Sequence, residues 1–570
     1  MNKYNVIFSG GGVGSTFALI NFLKKTLPKI SRSRSRRKKF CIAVIDKKIS
    51  NFPGGVAYGK LPSQMGFFNN PCRLAPKHFT KWLIKKQSRE KLIEYLSKQK
   101  WIFYKEWLEQ NKNFYLRAKA LSDIDEMYCP RVFFDFYLEE KFSLVFKLLK
   151  KHNKKNKTKI SINFLQGELL KFNKIKKFYS ARMYDYDYSE YRKLLKLKKF
   201  ENNLYNCHFT QLAKYNINFR DNGADRISFS NPINIKGKSL LCENLFLALG
   251  LTAPKVIVDK EVMKDHYYLH DFYESGATSK LMNLIKQKAK RQNNKVTLHF
   301  LGSKSGFLEP LPEFKYFLNQ NKIKLNIISS SLRGYTLNSA IFSKNKKKYK
   351  KKYFTIRKIN QIKTPQKLLD FLKKEFENAF SQGYIKYDSW TQILKEGLIT
   401  RILKKFSKED RDLYYTVYLE KIRSMTRFTY PGTINAKRLL VKKNLIKMYK
   451  GKVFEVKKNS HKFIVKVRKS NSRVKTVYSD ILVCVLGPQK MPDLIQSSSL
   501  FNSLVEEGAL FSNTGLYVDK YFQIKNLKNV FLPGLHAIGY NPLRKTIIEA
   551  ITNNSSKASN KLSQKQSRLN

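Results

Sequence analysis

Residues 6–15 read Val6-Ile7-Phe8-Ser9-Gly10-Gly11-Gly12-Val13-Gly14-Ser15. Tyr4–Phe8 is a short apolar run that predicts a first β-strand, and the glycines break it at once. The segment that follows, TFALINFLKKTL, spaces its apolar residues three and four apart, which predicts a helix. Pro28 and the basic run Arg32–Lys39 then predict a loop, and Phe40–Ile45 a second strand closed by Asp46. Strand, glycine turn, helix, strand and acid make a βαβ unit of the dinucleotide-binding kind. In that pattern Gly10 permits the tight turn, and Gly12 lets backbone approach a pyrophosphate. Ser15 stands where a third glycine usually allows close helix–sheet packing. Gly11 and Gly14 complete the glycine-rich turn. The helix amides and dipole then face the phosphates, and Asp46 is the candidate ligand for the ribose hydroxyls. The distance from Ser15 to Asp46 exceeds the usual ~20 residues from the motif because the basic loop lengthens the connection.

Further along the chain the same theme returns. Residues 53–59 (PGGVAYG) predict a glycine-rich loop, residues 80–100 and 131–151 helices, and residues 160–170 a strand. Residues 171–215 read as a Lys- and Tyr-rich insertion. Residues 240–250, 296–301 and 480–487 each read as a buried strand running into glycine. Residues 323–328 predict the neighbour of the strand at 296–301. Residues 365–425 read as helical and 452–467 as a hairpin. Residues 529–534 form a last strand-then-glycine, before a helix at 543–563 and a frayed tail. Apolar strands alternating with helices predict an α/β protein with parallel sheets.

The chain has 570 residues, 42% hydrophobic and 14% aromatic, enough for sizeable cores and unlike a disordered segment. Lys+Arg number 112 against 42 Asp+Glu, a formal net charge of +70. The cations are spread along the chain with Asn, Ile, Tyr and Phe, a background palette. The dense runs Arg32–Lys39 and Lys346–Lys352 read as solvated loops. The alternative is an electrostatic surface for nucleic acid or anionic membrane, with the aromatic segment Tyr184–Tyr191 as a base-stacking candidate. The cysteines (41, 72, 129, 207, 242, 484) show no C-x-x-C pair and no His at zinc-ligand spacing, which argues against a metal site and a disulfide scaffold and fits a reducing compartment. No apolar stretch approaches the ~20 residues of a membrane span, and the N-terminus reads as a strand, so cytoplasm is the expected location.

The chain resembles a family of FAD/NAD(P)-binding proteins marked by a glycine fingerprint and a G-x-G-V-A-Y-G loop. The fingerprint matches Gly10–Ser15, and the loop matches Gly54-Gly55-Val56-Ala57-Tyr58-Gly59. The family's Leu-Leu-Asn segment looks like Phe67-Phe68-Asn69, and its Phe-x-x-Trp-Leu helix like Phe79–Leu83. Its Pro-Arg pair before a helix looks like Pro130-Arg131. Its strand-end motifs look like Ala248-Leu249-Gly250 and Leu486-Gly487-Pro488, and its carboxy-terminal flavin motif like Val530–Gly534.

The resemblance implies FAD as the bound dinucleotide, a two-dinucleotide Rossmann-like flavoprotein fold, and a discontinuous FAD domain. It implies residues 1–255 as that domain, 256–477 as an NAD(P)-binding-like domain with a helical insertion, 478–560 as the returning chain, and 561–570 as a tail. Tyr58, Asn69, Arg131, Gly250, Gly534 and His536 become candidate cofactor contacts, Arg131 through phosphate. The second nucleotide turn, Gly302-Ser303-Lys304-Ser305-Gly306, departs from the family's G-x-G-x-[ST]. Lys304 replaces a glycine, and Pro310 and Pro312 fall where a helix should continue. Lys304 either obstructs NAD(P)H or neutralises its phosphate, with Arg333 a candidate for the 2′-phosphate. The architecture is shared with flavin-dependent monooxygenases and related oxidoreductases. The expected function is a FAD-dependent oxidoreductase, as a monooxygenase using NAD(P)H, acting on a small molecule. The alternatives are a flavoprotein that binds RNA and a non-catalytic flavoprotein.

Overall fold

The computed structural model describes residues 3–32, 39–60, 66–175, 204–215, 217–219, 227–229, 233–234, 238–250, 257–274, 276–303, 305–332, 338–339, 360–384, 386–395, 397–426, 428–487, 489–513, 515–534, 536–538 and 547–568. The centres of both dense basic runs, the segment Tyr184–Tyr191, Lys304 and Arg333 lie outside them.

The chain opens with β1 (Lys3–Ser9), α1 (Val13–Arg32) and β2 (Lys39–Asp46). Then come α2 (Ile102–Arg117), α3 (Val132–Lys155), β3 (Lys159–Gln166), β4 (Leu169–Lys174), β5 (Tyr205–Phe209) and β6 (Ser239–Leu247). A second unit follows with β7 (Lys295–Leu301), α4 (Leu311–Asn321), β8 (Lys324–Ser331), β9 (Ile446–Lys450) and β10 (Ile481–Cys484). The chain then returns with β11 (Val530–Phe531) and α5 (Ile547–Arg568).

In the first sheet β3, β2, β1, β6 and β11 run parallel in that order. β5 pairs antiparallel with the early half of β6, and β4 with β5. β11 occupies the same edge of β6 beyond β5, so the last part of the chain completes a sheet begun at Lys3. Val6, Ile7 and Phe8 have no exposed surface, as a central strand covered on both faces requires. α1 supplies part of that cover and packs against α3 and α5. The second sheet is wholly parallel, in the order Tyr268–Leu269, β10, β7, β8, β9. The helices between Pro365 and Thr426 form their own core around Leu368, Leu372, Trp390 and Tyr414. The expected hairpin forms as Lys452–Asn459 with Lys462–Arg468, and Val474–Ser479 adds a third strand.

Several boundaries differ from the sequence reading. The strand expected at 160–170 is two strands, β3 and β4, parted at Gly167. The insertion expected at 171–215 is partly sheet, because Phe172, Tyr205, Cys207 and Phe209 alternate inward and are buried. The helix expected at 80–100 is two, Lys77–Leu83 and Lys86–Ser97. The expected frayed tail continues α5 to Arg568. Ala558 and Leu562 are buried four residues apart, and Asn21 and Thr26 of α1 bond to Ser556 and Ser563. Small polar residues here pack a helix pair closely. Pro310 and Pro312 do not break a helix: Ser305–Leu308 ends before them, Pro310 caps α4, and Pro312 sits in its first turn, where proline needs no amide.

Candidate functional site

The site lies at the carboxyl ends of β1, β2 and β6, where parallel sheets present ligands with helix N-termini and loops. Gly10 has φ +101°, and a Cβ there would stand 2.4 Å from the Ala248 carbonyl oxygen, so only glycine makes this turn. Its N–H donates to the Ile45 carbonyl (2.7 Å), tying β1 to β2 at the turn. Gly12 stands differently. A Cβ there would meet Gly55 Cα at 3.6 Å and the Gly54 carbonyl at 3.8 Å, ordinary contact, so none of the described residues forbids a methyl.

The first α1 amide to find an intrahelical acceptor is Thr16, on Gly12 (3.0 Å). The amides of Val13, Gly14 and Ser15 precede it and lack such partners by helix geometry. The Ser15 Oγ is buried beside them without a hydrogen-bond partner. Three amides and an orphaned hydroxyl at the head of a 20-residue helix make a candidate cradle with the chemistry to hold an anion. The close packing expected at Ser15 falls to Gly14, whose Cβ would meet Ala248 Cβ and Ile551 Cγ2 at 3.4 Å each.

Asp46 is half-buried at the end of β2. Its Oδ2 accepts from the Gly11 amide (2.6 Å) and its Oδ1 from the Lys48 amide (2.8 Å). Burial pushes its pKa up, and the two amide bonds pull it down. Each oxygen keeps a second lone pair, so a ribose hydroxyl can still donate to it.

The GGVAYG loop is not open chain: Gly55–Tyr58 make a helical turn packed on Gly12, with Gly55 at φ +68°. Thr16 Oγ1 fastens this loop by donating to the Pro53 carbonyl (2.8 Å). Tyr58 packs tilted between Phe68 (5.7 Å) and Phe134 (5.6 Å), and burial pushes its phenol pKa up. Asn69, beyond Phe68, lines a narrow cleft with Phe67, Phe103, Glu309, Tyr430 and Thr433, with enclosed room for about one water. Arg131 already has two partners within the protein. Its Nε donates to the Phe67 carbonyl (3.0 Å), and its Nη2 pairs with Glu309 (2.8 Å) from the second unit. Burial opposes its charge, while Glu309 and then Tyr58 hold its pKa up.

Gly250, Gly534 and His536 meet on the other side of the cradle. His536 Nε2 lies 3.3 Å from the Gly250 carbonyl, and a Cβ on Gly534 would stand 3.1 Å from that of Leu249. Burial pushes the His536 pKa down, keeping the ring neutral near pH 7.

The second sheet repeats this turn. Gly302 has φ +121°, its N–H donates to the Ser330 carbonyl (2.8 Å), and its Cβ would stand 2.8 Å from the Val485 carbonyl. Gly306 takes the place of Gly14: its Cβ would meet Val485 Cβ at 3.0 Å and the Tyr273 hydroxyl at 2.8 Å. Where Asp46 receives Gly11, Ser331 receives the Ser303 hydroxyl (2.8 Å). Sequence reasoning missed Gly306 and Ser331. The signal was the four-residue spacing shared by Gly10/Gly14 and Gly302/Gly306.

Among the described residues no cluster of His, Cys, Asp or Glu is placed to hold a metal, and no helix is long and apolar enough to cross a membrane.

No protein-family model matches the chain, and no curated protein matches it in sequence. Among solved structures it is similar to the ornithine N-hydroxylase of Kutzneria sp. 744, with 12% identity, coverage of 99% of this chain and 100% of that one, and a TM-score of 0.42. It is similar to the ornithine hydroxylase of Pseudomonas aeruginosa, with 11% identity, 98% and 99% coverage, and a TM-score of 0.42. The thioredoxin reductase of T. acidophilum matches at 9% identity, 99% and 99% coverage, and a TM-score of 0.38. Likenesses of this extent do not decide what the chain does; its own turns and side chains have to.

Proposed function

We propose that the protein is a FAD-dependent oxidoreductase acting on a small molecule, with NAD(P)H as its reductant and monooxygenation as its reaction class. The observation that carries this reading is the repeated turn. Two parallel sheets in one chain end in glycines of the same geometry, one beside an acid and one beside a serine. An acid suits two ribose hydroxyls; a serine leaves room and no repulsion for a 2′-phosphate.

The first turn fits FAD. The amides of Val13, Gly14 and Ser15 and the Ser15 hydroxyl would hold the pyrophosphate, and Asp46 the ribose. Gly55–Tyr58 and Phe68 lead from Gly12 toward Asn69, so the reacting end of the cofactor would lie on that side of the chain. FAD, when bound, supplies the electron and hydride chemistry through its ring system. The chain's own groups position and enclose. His536 stays neutral and offers no charge. The aromatic walls Phe67, Phe103 and Tyr430 exclude water, and the Arg131–Glu309 pair holds the second unit against the first. Purification followed by anaerobic titration with NADPH and NADH tests the reading: flavin that bleaches on NADPH addition supports it, and a folded, colourless protein that takes up no FAD overturns it.

A further inference from the structure

We propose that Cys72 and Cys129 form a reversible disulfide, a modification site distinct from the dinucleotide cradle. The two Sγ atoms are 3.0 Å apart and both residues are buried. They lie on two facing segments of irregular antiparallel backbone, each bonded to a neighbour of the other rather than to the other itself. Arg131 N–H donates to the Gly66 carbonyl (3.0 Å), Phe68 to Cys129 (2.9 Å), Cys72 to Met127 (2.9 Å) and Arg73 to Asp125 (3.0 Å). A bonded pair needs a sulfur separation of about 2.0 Å, so bond formation asks for about 1 Å of approach, within reach of side-chain torsions.

The chain holds a natural control. Cys207 and Cys242 are also buried, with Sγ atoms 3.6 Å apart. They lie in regular paired strands, where Cys207 sits opposite Leu240 and Cys242 opposite Tyr205. Regular strand pairing holds that couple at van der Waals contact, farther apart than Cys72 and Cys129.

The oxidant is hydrogen peroxide, small enough to enter a packed interior. One sulfur, as its thiolate, attacks a peroxide oxygen; the O–O bond breaks, a sulfenic acid and hydroxide form, and the hydroxide takes up the thiol's released proton as water. The second thiol attacks the sulfenic sulfur, the S–O bond breaks, and a second water leaves with the thiol's proton. Two thiols and one peroxide thus give one disulfide and two waters, and the two electrons lost by the sulfurs reduce the peroxide. The bond would tie together positions 57 residues apart. Because the ladder carries Asn69 and Arg131, it would also clamp one wall of the cleft.

The test uses the full chain, purified under reductant, exposed to hydrogen peroxide, then alkylated in denaturant and mapped by peptide mass. The expected result is loss of two of the six free thiols and a linked peptide containing Cys72 and Cys129, lighter by two hydrogens and restored by reductant. Cys72→Ala or Cys129→Ala should abolish the link, and Cys207→Ala should not. Amide exchange at Phe68 and Cys72 should slow in the oxidised protein. Six alkylated thiols after peroxide, a link elsewhere, or over-oxidation without a link would each overturn the proposal. A link that leaves exchange unchanged would overturn the clamp.

Discussion

Gly12→Ala separates loss of ligand from loss of fold. The added methyl would stand 3.6 Å from Gly55 Cα, and Gly12 is not in the left-handed region, so the folded protein can take it. Alanine is a poorer helix cap than glycine by about 1 kcal/mol or less, and it lowers unfolded-chain entropy by a similar roughly 0.4–1 kcal/mol. The two nearly cancel, so the melting temperature should move by no more than about 2 °C. Under the proposed placement of the pyrophosphate, the methyl would crowd it between the head of α1 and the Gly54–Gly55 turn. Crowding of that kind costs about 1–3 kcal/mol, or roughly 5- to 150-fold in FAD affinity. Gly10→Ala is the contrasting case: at φ +101° and 2.4 Å from the Ala248 carbonyl it should unfold the turn itself. Fluorescence titration of apoprotein with FAD, with thermal melts alongside, measures both quantities. A Gly12→Ala protein that binds FAD within about twofold of the parent, well inside the predicted range, would refute the placement of the pyrophosphate.

Three further outcomes are expected. Glu313 is buried and accepts from the Phe103 amide at the head of α2 (3.1 Å), and burial pushes its pKa up to about 7. A raised carboxyl pKa means its contribution is complete below the unfolded value of about 4.5 and is lost as pH rises through about 7, up to about 3 kcal/mol. Glu313→Gln should flatten the stability profile over that window, and denaturant melts at several pH values check it. Glu309→Gln removes the Arg131 counter-charge from a partly buried pair and should cost about 2 kcal/mol, less than for a fully buried one; a loss near zero would mean the pair does not join the two units. Ser331→Asp restores an acid at the second turn and should weaken NADPH use by about tenfold or more while affecting NADH less, since one repelled charge contact is worth roughly 1.4 kcal/mol. Stopped-flow reduction with each nucleotide reads the difference.

The first βαβ unit was legible because its signals agree: an apolar run, glycines, a helical period and a closing acid. The second unit was half legible. Its strand and Gly302 stood out, but Pro310 and Pro312 read as obstacles, because a sequence does not say whether proline falls inside a helix or at its first turn. Asp46 was found by position, yet its bond to Gly11 depends on the exact approach of two turns. The tie between Arg131 and Glu309 was not legible, because the two are 178 residues apart and no local pattern connects them. The last helix was legible from its period, and its packing of Ala558, Leu562 and small serines against α1 was not; it runs on to Arg568, past the expected end, because Ser and Lys composition does not by itself stop a helix.

The most direct measurement is the absorption spectrum of the purified full-length protein, with the bound chromophore released by acid and identified by mass. The account predicts a flavin spectrum and FAD at about one per chain, as a single anion cradle with one ribose acid requires. A folded protein that carries no flavin, and shows no change in melting temperature when FAD is added in excess, would contradict it.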